Sequence, residues 1–333
     1  MYMLRNRALA SLLLIVVGHA ASAQTPDAQC ETLLAQQDIR LEDALAADCQ
    51  LSPEQISALI DNPVGEVVSV PLQFDRLSLT EPFTGRDLTV ETTKLIPTFP
   101  VRIGNDWSLV NRVVIPKIKV PIDSSALAML GTRSDVGLIA GDPTTDIFSG
   151  STDGVGDLAY VGLFTPRDTK QTPNGKIIWA VGPTAVLPTA DEDILGQGQY
   201  QLGPAVAYGF LGNRWTVGAL AQHWWSVGGD GDRSSVNQTN VQYFYYYKLG
   251  NQWSIGASPN ASMDWTGSGS PTINLPIGIG INKTLFIGRL PVRVGLEASR
   301  YVKHESALKP EWGVRLSITP AIPSALLSAL GGR

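Results

Sequence analysis

The sequence predicts an all-β fold, a closed antiparallel transmembrane β-barrel of about twelve strands behind a short N-terminal helical segment, and three observations carry that expectation. Extended segments alternate in hydropathy, with large apolar residues on one face. Beyond the N-terminus no apolar run reaches the ~20 residues of a spanning helix. Short and long connections alternate along the chain, and the tryptophans gather at strand ends.

In chain order, Met1 to Arg7 carries two arginines, Ala8 to Val17 is apolar, and Ala21-Ser22-Ala23 has the small-x-small form of an export cleavage site. Residues 1–23 read as a removed signal peptide. The mature chain is then exported, in a Gram-negative cell. Residues 24–63 read as a helical periplasmic or plug segment: Leu33, Leu34, Ile39, Leu41 and Leu45 recur at three and four spacings. A second helix opens at Ser52-Pro53-Glu54-Gln55, with an N-cap, a proline at the first position and a capping glutamine, and stops at Asn62-Pro63. The only two cysteines, Cys30 and Cys49, read as a disulfide in an oxidising compartment rather than as two buried thiols. Closing a loop of about twenty residues is worth roughly 3 kcal/mol on the chain-entropy view.

From Pro63 the pattern is extended to about Pro320, which sets the barrel at 64–320 and a C-terminal tail at 321–333. The expected strands are 64–75, 88–100, 107–120, 157–166, 176–188, 199–211, 214–226, 238–249, 252–265, 272–283, 288–302 and 311–320. Joins at 101–106, 212–213, 250–251 and 284–287 are short, as periplasmic turns are; those at 76–87, 121–156, 189–198, 227–237 and 303–310 are longer. The turn at 167–175 is long for its class and the loop at 266–271 short. Within the long loop, Ser124 to Leu130 reads as a short helical piece.

Face assignments follow from the period of two. In the 252–265 strand, Trp253, Ile255, Ala257, Pro259, Ala261, Met263 and Trp265 share the lipid face. Ile273, Leu275, Ile277, Ile279 and Ile281 do so in the next strand. The opposite faces supply a candidate pore lining: Gln201, Gln242, Lys248, Asn260, Asp264, Arg289, Arg293, Glu297 and Arg315. Arg112 and Lys117 fall on opposite faces, which a bulge near Pro116 would reconcile. Trp107, Trp179, Trp215 and Trp253 are expected at the periplasmic interface, and Trp224, Trp225, Trp265 and Trp312 at the outer one.

Asn62-Pro63-Val64-Gly65 with Ser69 to Gln73, Asp106 to Val110 with Arg112 and Pro116, and Gly154 to Leu158 resemble the outer-membrane barrel family of the MetA pathway of phenol degradation, often labelled neuromedin U. Gly182-Pro183, Gly203-Pro204, Trp224 to Val227 and Pro276 to Gly278 resemble it too, so the likeness spans most of 62–320. It implies an outer-membrane barrel with a transport role and carries no catalytic residues. The chain departs from barrel habit at its end, where Ser324 to Arg333 has no terminal aromatic.

Composition narrows the function. A net charge of -5 with no basic stripe argues against a nucleic-acid partner. Acidic pairs in the outer loops, Asp142 with Asp146, Asp153 with Asp157, Asp191 to Asp193, and Asp230 with Asp232, lack the spacing of a calcium loop, and no metal or cofactor motif is present. A lipid hydrolase needs a serine and a histidine; after export only His223 and His304 remain, with no G-x-S-x-G element. The expected partners are outer-membrane lipid, lipopolysaccharide and a small solute. Two interiors fit: a passive channel for small solutes, hydrophobic or aromatic ones included, and a non-conducting barrel filled by its own paired charges.

Overall fold

The computed structural model describes residues 30, 49, 53, 57, 60, 64–65, 67–81, 85–123, 148, 150–267, 269–288, 290–305 and 308–322. The signal peptide, the 124–130 piece, Arg289 and residues 323–333 lie outside them. The chain forms two units, Met1–Gln50 and Leu51–Arg333. In the first, Cys30 and Cys49 are joined by a disulfide.

The second unit is a closed all-antiparallel barrel of twelve staves built from seventeen strand segments. The segments are β1 (Val68–Ser69), β2 (Leu72–Thr80), β3 (Asp87–Leu95), β4 (Thr98–Ile103), β5 (Trp107–Val120), β6 (Thr152–Val155), β7 (Leu158–Pro166), β8 (Lys170–Thr172) and β9 (Gly175–Leu187). They continue as β10 (Gln199–Gly212), β11 (Trp215–Gly229), β12 (Asn237–Gly250), β13 (Trp253–Ala257), β14 (Asn260–Asp264), β15 (Thr272–Ile287), β16 (Leu290–His304) and β17 (Lys309–Ile322). Closure comes from β17 pairing with β2, Arg315 opposite Asp75 and Leu316 opposite Phe74. A closed sheet has no free edge, so every stave finds backbone partners on both sides, the condition for strands in hydrocarbon.

The burial pattern is inside out. Along β10 the outward Leu202 and Val206 are about half exposed, while the inward Gln201, Ala205 and Ala207 are at most 5% exposed. On β15 Ile277, Ile279 and Ile281 all point out. A sheet in water hides such residues; a lipid-facing barrel presents them.

Several expected elements move. The first stave runs to Thr80, because β2 pairs with β3 out to Thr80 opposite Asp87, so its loop shrinks to 81–86. The 167–175 join is a tight one after all: β8 pairs with β9, and the turn is Pro173-Asn174. Part of the long loop is strand, since β6 pairs with β5. Between Val114 opposite Ala159 and Lys117 opposite Val155 the register slips by one, so the bulge sits at 156–158 in the partner stave. Arg112 and Lys117 therefore stay on opposite faces, and Lys117 pairs at the surface with Asp153, 3.1 Å away. The turn after β12 centres on Asn251 and Gln252, φ 48° and 60°, one residue later than expected, the two positive φ values of a primed hairpin turn.

The two Gly-Pro pairs acquire a reason. Pro183 lies directly opposite Pro204 between β9 and β10, where neither has an N–H to give the ladder. Beside them, a Cβ on Gly182 or Gly203 would lie 1.8 Å from the carbonyl oxygen of Gly162 or His223, so only glycine lets the neighbouring backbones approach.

Candidate functional site

The lumen has two unlike walls. On β5, β7, β9, β10 and β11 the inward residues include Val110, Val161, Leu163, Ile178, Ala180, Ala205, Ala207, Leu211 and Leu220, one apolar cluster that Val64 joins from the segment preceding β1. Alternation places them there, and small alanines on β10 keep the wall shallow. From β12 through β17 to β3 the inward residues include Gln242, Ser258, Asn260, Arg293, Glu297, Arg315, Asp75 and Lys94, with the apolar Phe244 among them.

The polar wall is organised around a break. Between β13 and β14, at Ser258-Pro259, pairing with β15 is interrupted, although the register on both sides of the gap is the same. Proline cannot donate to the ladder, and the freed groups of Ser258 turn to side chains. Its N–H donates to Glu297 Oε2 at 2.8 Å, and its carbonyl accepts from Arg315 Nη1 at 2.9 Å. Its hydroxyl accepts from Gln242 Nε2 at 2.9 Å. On the outer face the Tyr243 and Tyr245 hydroxyls reach over to the Pro276 and Gly278 carbonyls of β15. That cover explains why Ala257 and Ala261, expected toward lipid, are at most 3% exposed.

Charge pairing extends the node across the barrel closure. Asp75 Oδ1 lies 2.6 Å from Arg315 Nε, and Asp75 Oδ2 lies 2.8 Å from Lys94 Nζ. In the other direction Arg112 Nη1 donates to Gln242 Oε1 at 3.2 Å. Arg112 is on β5 and Gln242 on β12, staves on opposite sides of the ring, so this one hydrogen bond bridges the lumen.

Among the described residues the lumen holds two cavities, the first lined by both partners of the bridge. One, of about 190 Å³, is lined by Arg112, Gln242, Tyr246, Ser258 and Arg293, by the apolar wall residues Val110, Leu163, Ile178 and Leu220, and by Ile60 and Val64. The other, of about 160 Å³, is lined by Asp75, Thr92, Lys94, Asn260, Pro276, Glu297, Tyr301 and Arg315. In the first, Arg293 stands 4.9 Å over the Tyr246 ring and donates to Ser254 Oγ at 3.1 Å. At its short-turn end Ser57 and Thr284 hydroxyls meet at 3.1 Å; Pro53, Ser57 and Ile60 have helical backbone.

Of the expected lining, Gln242, Arg293, Glu297, Arg315 and Asn260 border these cavities. Gln201 faces in but is held by Gln197 and Gln238 under the 188–198 connection. Lys248 sits at the short-turn rim and donates to the Gly212 carbonyl at 3.1 Å. Asp264 does not line the lumen: it is exposed at the rim and accepts from Thr266 N–H and Oγ1 at 2.9 and 2.6 Å, a local turn that satisfies it better than the interior would. The sequence reading missed Asp75, Lys94, Tyr246 and the apolar wall. Asp75 and Lys94 alternate correctly with Gln73 and Thr92, and that period was the available signal.

Trp224 is corrected. Neighbours on a strand face opposite ways, so Trp224 and Trp225 cannot share an outer ring. Trp224 points inward, 7% exposed, and its Nε1 donates to Thr184 Oγ1 at 3.1 Å. Trp107, Trp179, Trp215, Trp225, Trp253, Trp265 and Trp312 are exposed on the outside near stave ends. His223 shares that outer face: its Nδ1 meets Thr239 Oγ1 at 2.7 Å and its ring packs on Trp225 at 4.2 Å. The loop carboxylates hold backbone. Asp191 accepts from Val155 N–H, Asp157 from Gln197 N–H, and Asp230 from Asp232 N–H. Among the described residues no group of carboxylates, histidines and cysteines is arranged to hold a metal.

No family model and no curated protein matches the chain. Among solved structures it is similar to the COG4313 outer membrane channel from Pseudomonas putida F1, with TM-score 0.55 and 15% identity over 77% of this chain and 96% of that one. It is less similar to the NanC porin, with TM-score 0.41 and 8% identity over 77% and 98% of the two chains. The CymD monoaromatic hydrocarbon channel gives TM-score 0.35 and 9% identity over 82% and 91%. The first likeness is one of fold.

Proposed function

We propose that this chain is an outer-membrane channel through which small solutes, hydrophobic or aromatic ones included, diffuse passively. The observation that carries the reading is that, among the described residues, the lumen holds two cavities, one of them lined by both partners of the Arg112–Gln242 bridge. One hydrogen bond between flexible side chains contributes ~1 kcal/mol, small enough for thermal opening, whereas a lumen packed with paired charges would leave no cavity. The barrel exterior and its likeness to the COG4313 outer membrane channel support the location, as does the resemblance to the phenol-degradation family.

On this reading the short turns face the periplasm and the seven outward tryptophans sit at the two lipid interfaces, with lipopolysaccharide around the outer one. Ile60 and Val64, which line the first cavity, support reading the segment before β1 as a periplasmic or plug segment. Gln242, Arg293, Glu297, Arg315 and Asn260 form the pore lining together with Asp75, Lys94 and Arg112. Reconstitution of the mature protein in planar bilayers tests it: discrete openings are expected, and they should lengthen or grow in Gln242→Ala. A silent bilayer with a folded barrel would leave the non-conducting reading. Phospholipase activity is expected to be absent, and its presence with loss in His223→Ala would revive the hydrolase.

A further inference from the structure

We infer that the cavity lined by both partners of the bridge is a binding site for a small monocarboxylate with a compact apolar body, its carboxylate held by Arg112. The proposal deepens the channel reading and rests on it for transport, though not for binding. Charge comes first. Among the described residues, the charged side chains lining the two cavities are the cations Arg76, Lys94, Arg112, Arg293 and Arg315 against the carboxylates Asp75 and Glu297. Asp75 is occupied twice over, by Lys94 and Arg315, and Glu297 is turned to the Ser258 N–H. Among the described residues no carboxylate pairs with Arg112; its side-chain partner is the neutral amide of Gln242. A guanidinium in a low-dielectric lumen with only an amide oxygen is poised for an anion, and carboxylate offers the matching two-oxygen fork.

Shape and polarity then select the rest of the ligand. Across from Arg293 the same cavity is walled by Leu163, Ile178 and Leu220, with Phe244 on β12 and with Val110 beside Arg112 on β5. Its roughly 190 Å³ exceeds the ~150 Å³ apolar cavity known to hold benzene, so one ring or a short branched chain fits. A doubly charged, fully hydrated anion would have to shed water against that wall with nothing to replace it. A carboxylate that takes Arg112 from Gln242 also opens the bridge, so the recognised solute would widen its own passage.

The test is equilibrium binding to the full-length protein in detergent, with benzoate, benzyl alcohol and benzylammonium as probes. Benzoate is expected to bind at least tenfold tighter than either neutral or cationic isostere, and Arg112→Gln to remove about that tenfold while leaving benzyl alcohol unchanged. Leu163→Trp, which fills the cavity from the apolar side and leaves the charges alone, should weaken all three probes together. Equal binding of benzoate and benzyl alcohol to the wild-type protein would overturn the proposal, as would benzoate binding indifferent to both variants. The same protein in bilayers separates the two readings. Benzoate binding without conductance sinks the channel and keeps the site; conductance without benzoate preference does the reverse.

Discussion

The apolar and charged walls of the lumen are built from the same barrel by opposite means. On β5 to β11 alternation alone builds the apolar cluster, whose residues are small or branched hydrocarbons that need no partner. On β12 to β3 the central polar groups depend on other elements: Ser258 on Glu297, Arg315 and Gln242, and Asp75 on β17 across the closure. The apolar wall should therefore tolerate change in proportion to volume removed. The charged wall should fail as a network.

The largest effect expected is from Asp75→Ala. It leaves Arg315 and Lys94 inside the barrel without their shared carboxylate, a loss of about 3 kcal/mol or more in urea unfolding followed by gel mobility. Adding Lys94→Met should recover part of it; no recovery would mean the network is not the cause. On the other wall Ile178→Ala should cost about 2 kcal/mol by the same assay, and the wider lumen should raise conductance, an effect Asp75→Ala lacks. Equal losses at the two positions would erase the contrast.

A smaller loss, about 1 kcal/mol, is expected from Trp224→Phe, which keeps the ring in the lumen and removes the bond to Thr184. Trp225→Phe, on the lipid side, should leave unfolding nearly unchanged. The smallest effect lies outside both walls. Glu305, in the connection after β16, is held below the ordinary carboxylate value of 4.5 by the Ile273 N–H and then by Lys303. Its folded form favours the charged state, so its contribution is present above the unfolded value and fades as pH falls through the lower folded one. An NMR titration should place its midpoint below 4.5, and Lys303→Met should raise it.

Much of the architecture was legible because a period of two, a turn chemistry and an interfacial preference each act locally. The isoleucines of β15 sort to the outside by alternation, and twelve staves follow from the spacing of turns. Where alternation was interrupted the reading slipped. Pro259 broke a stave that otherwise kept its register, and the Tyr243 and Tyr245 hydroxyls then covered alanines that period alone sent to lipid. The Trp224-Trp225 pair slipped for a different reason: both were assigned by residue type, whereas the strand admits only one to each face.

What the sequence determined by itself was the class of the fold and the two chemistries of its faces, since hydropathy and turn residues act over a few positions. Which inward groups meet was decided only by closure. Asp75 and Arg315, 240 residues apart, become neighbours because β17 pairs with β2 at one register, and Arg112 reaches Gln242 because the ring sets β5 across from β12. A local signal cannot encode a distance across a closed sheet; the sheet has to close first.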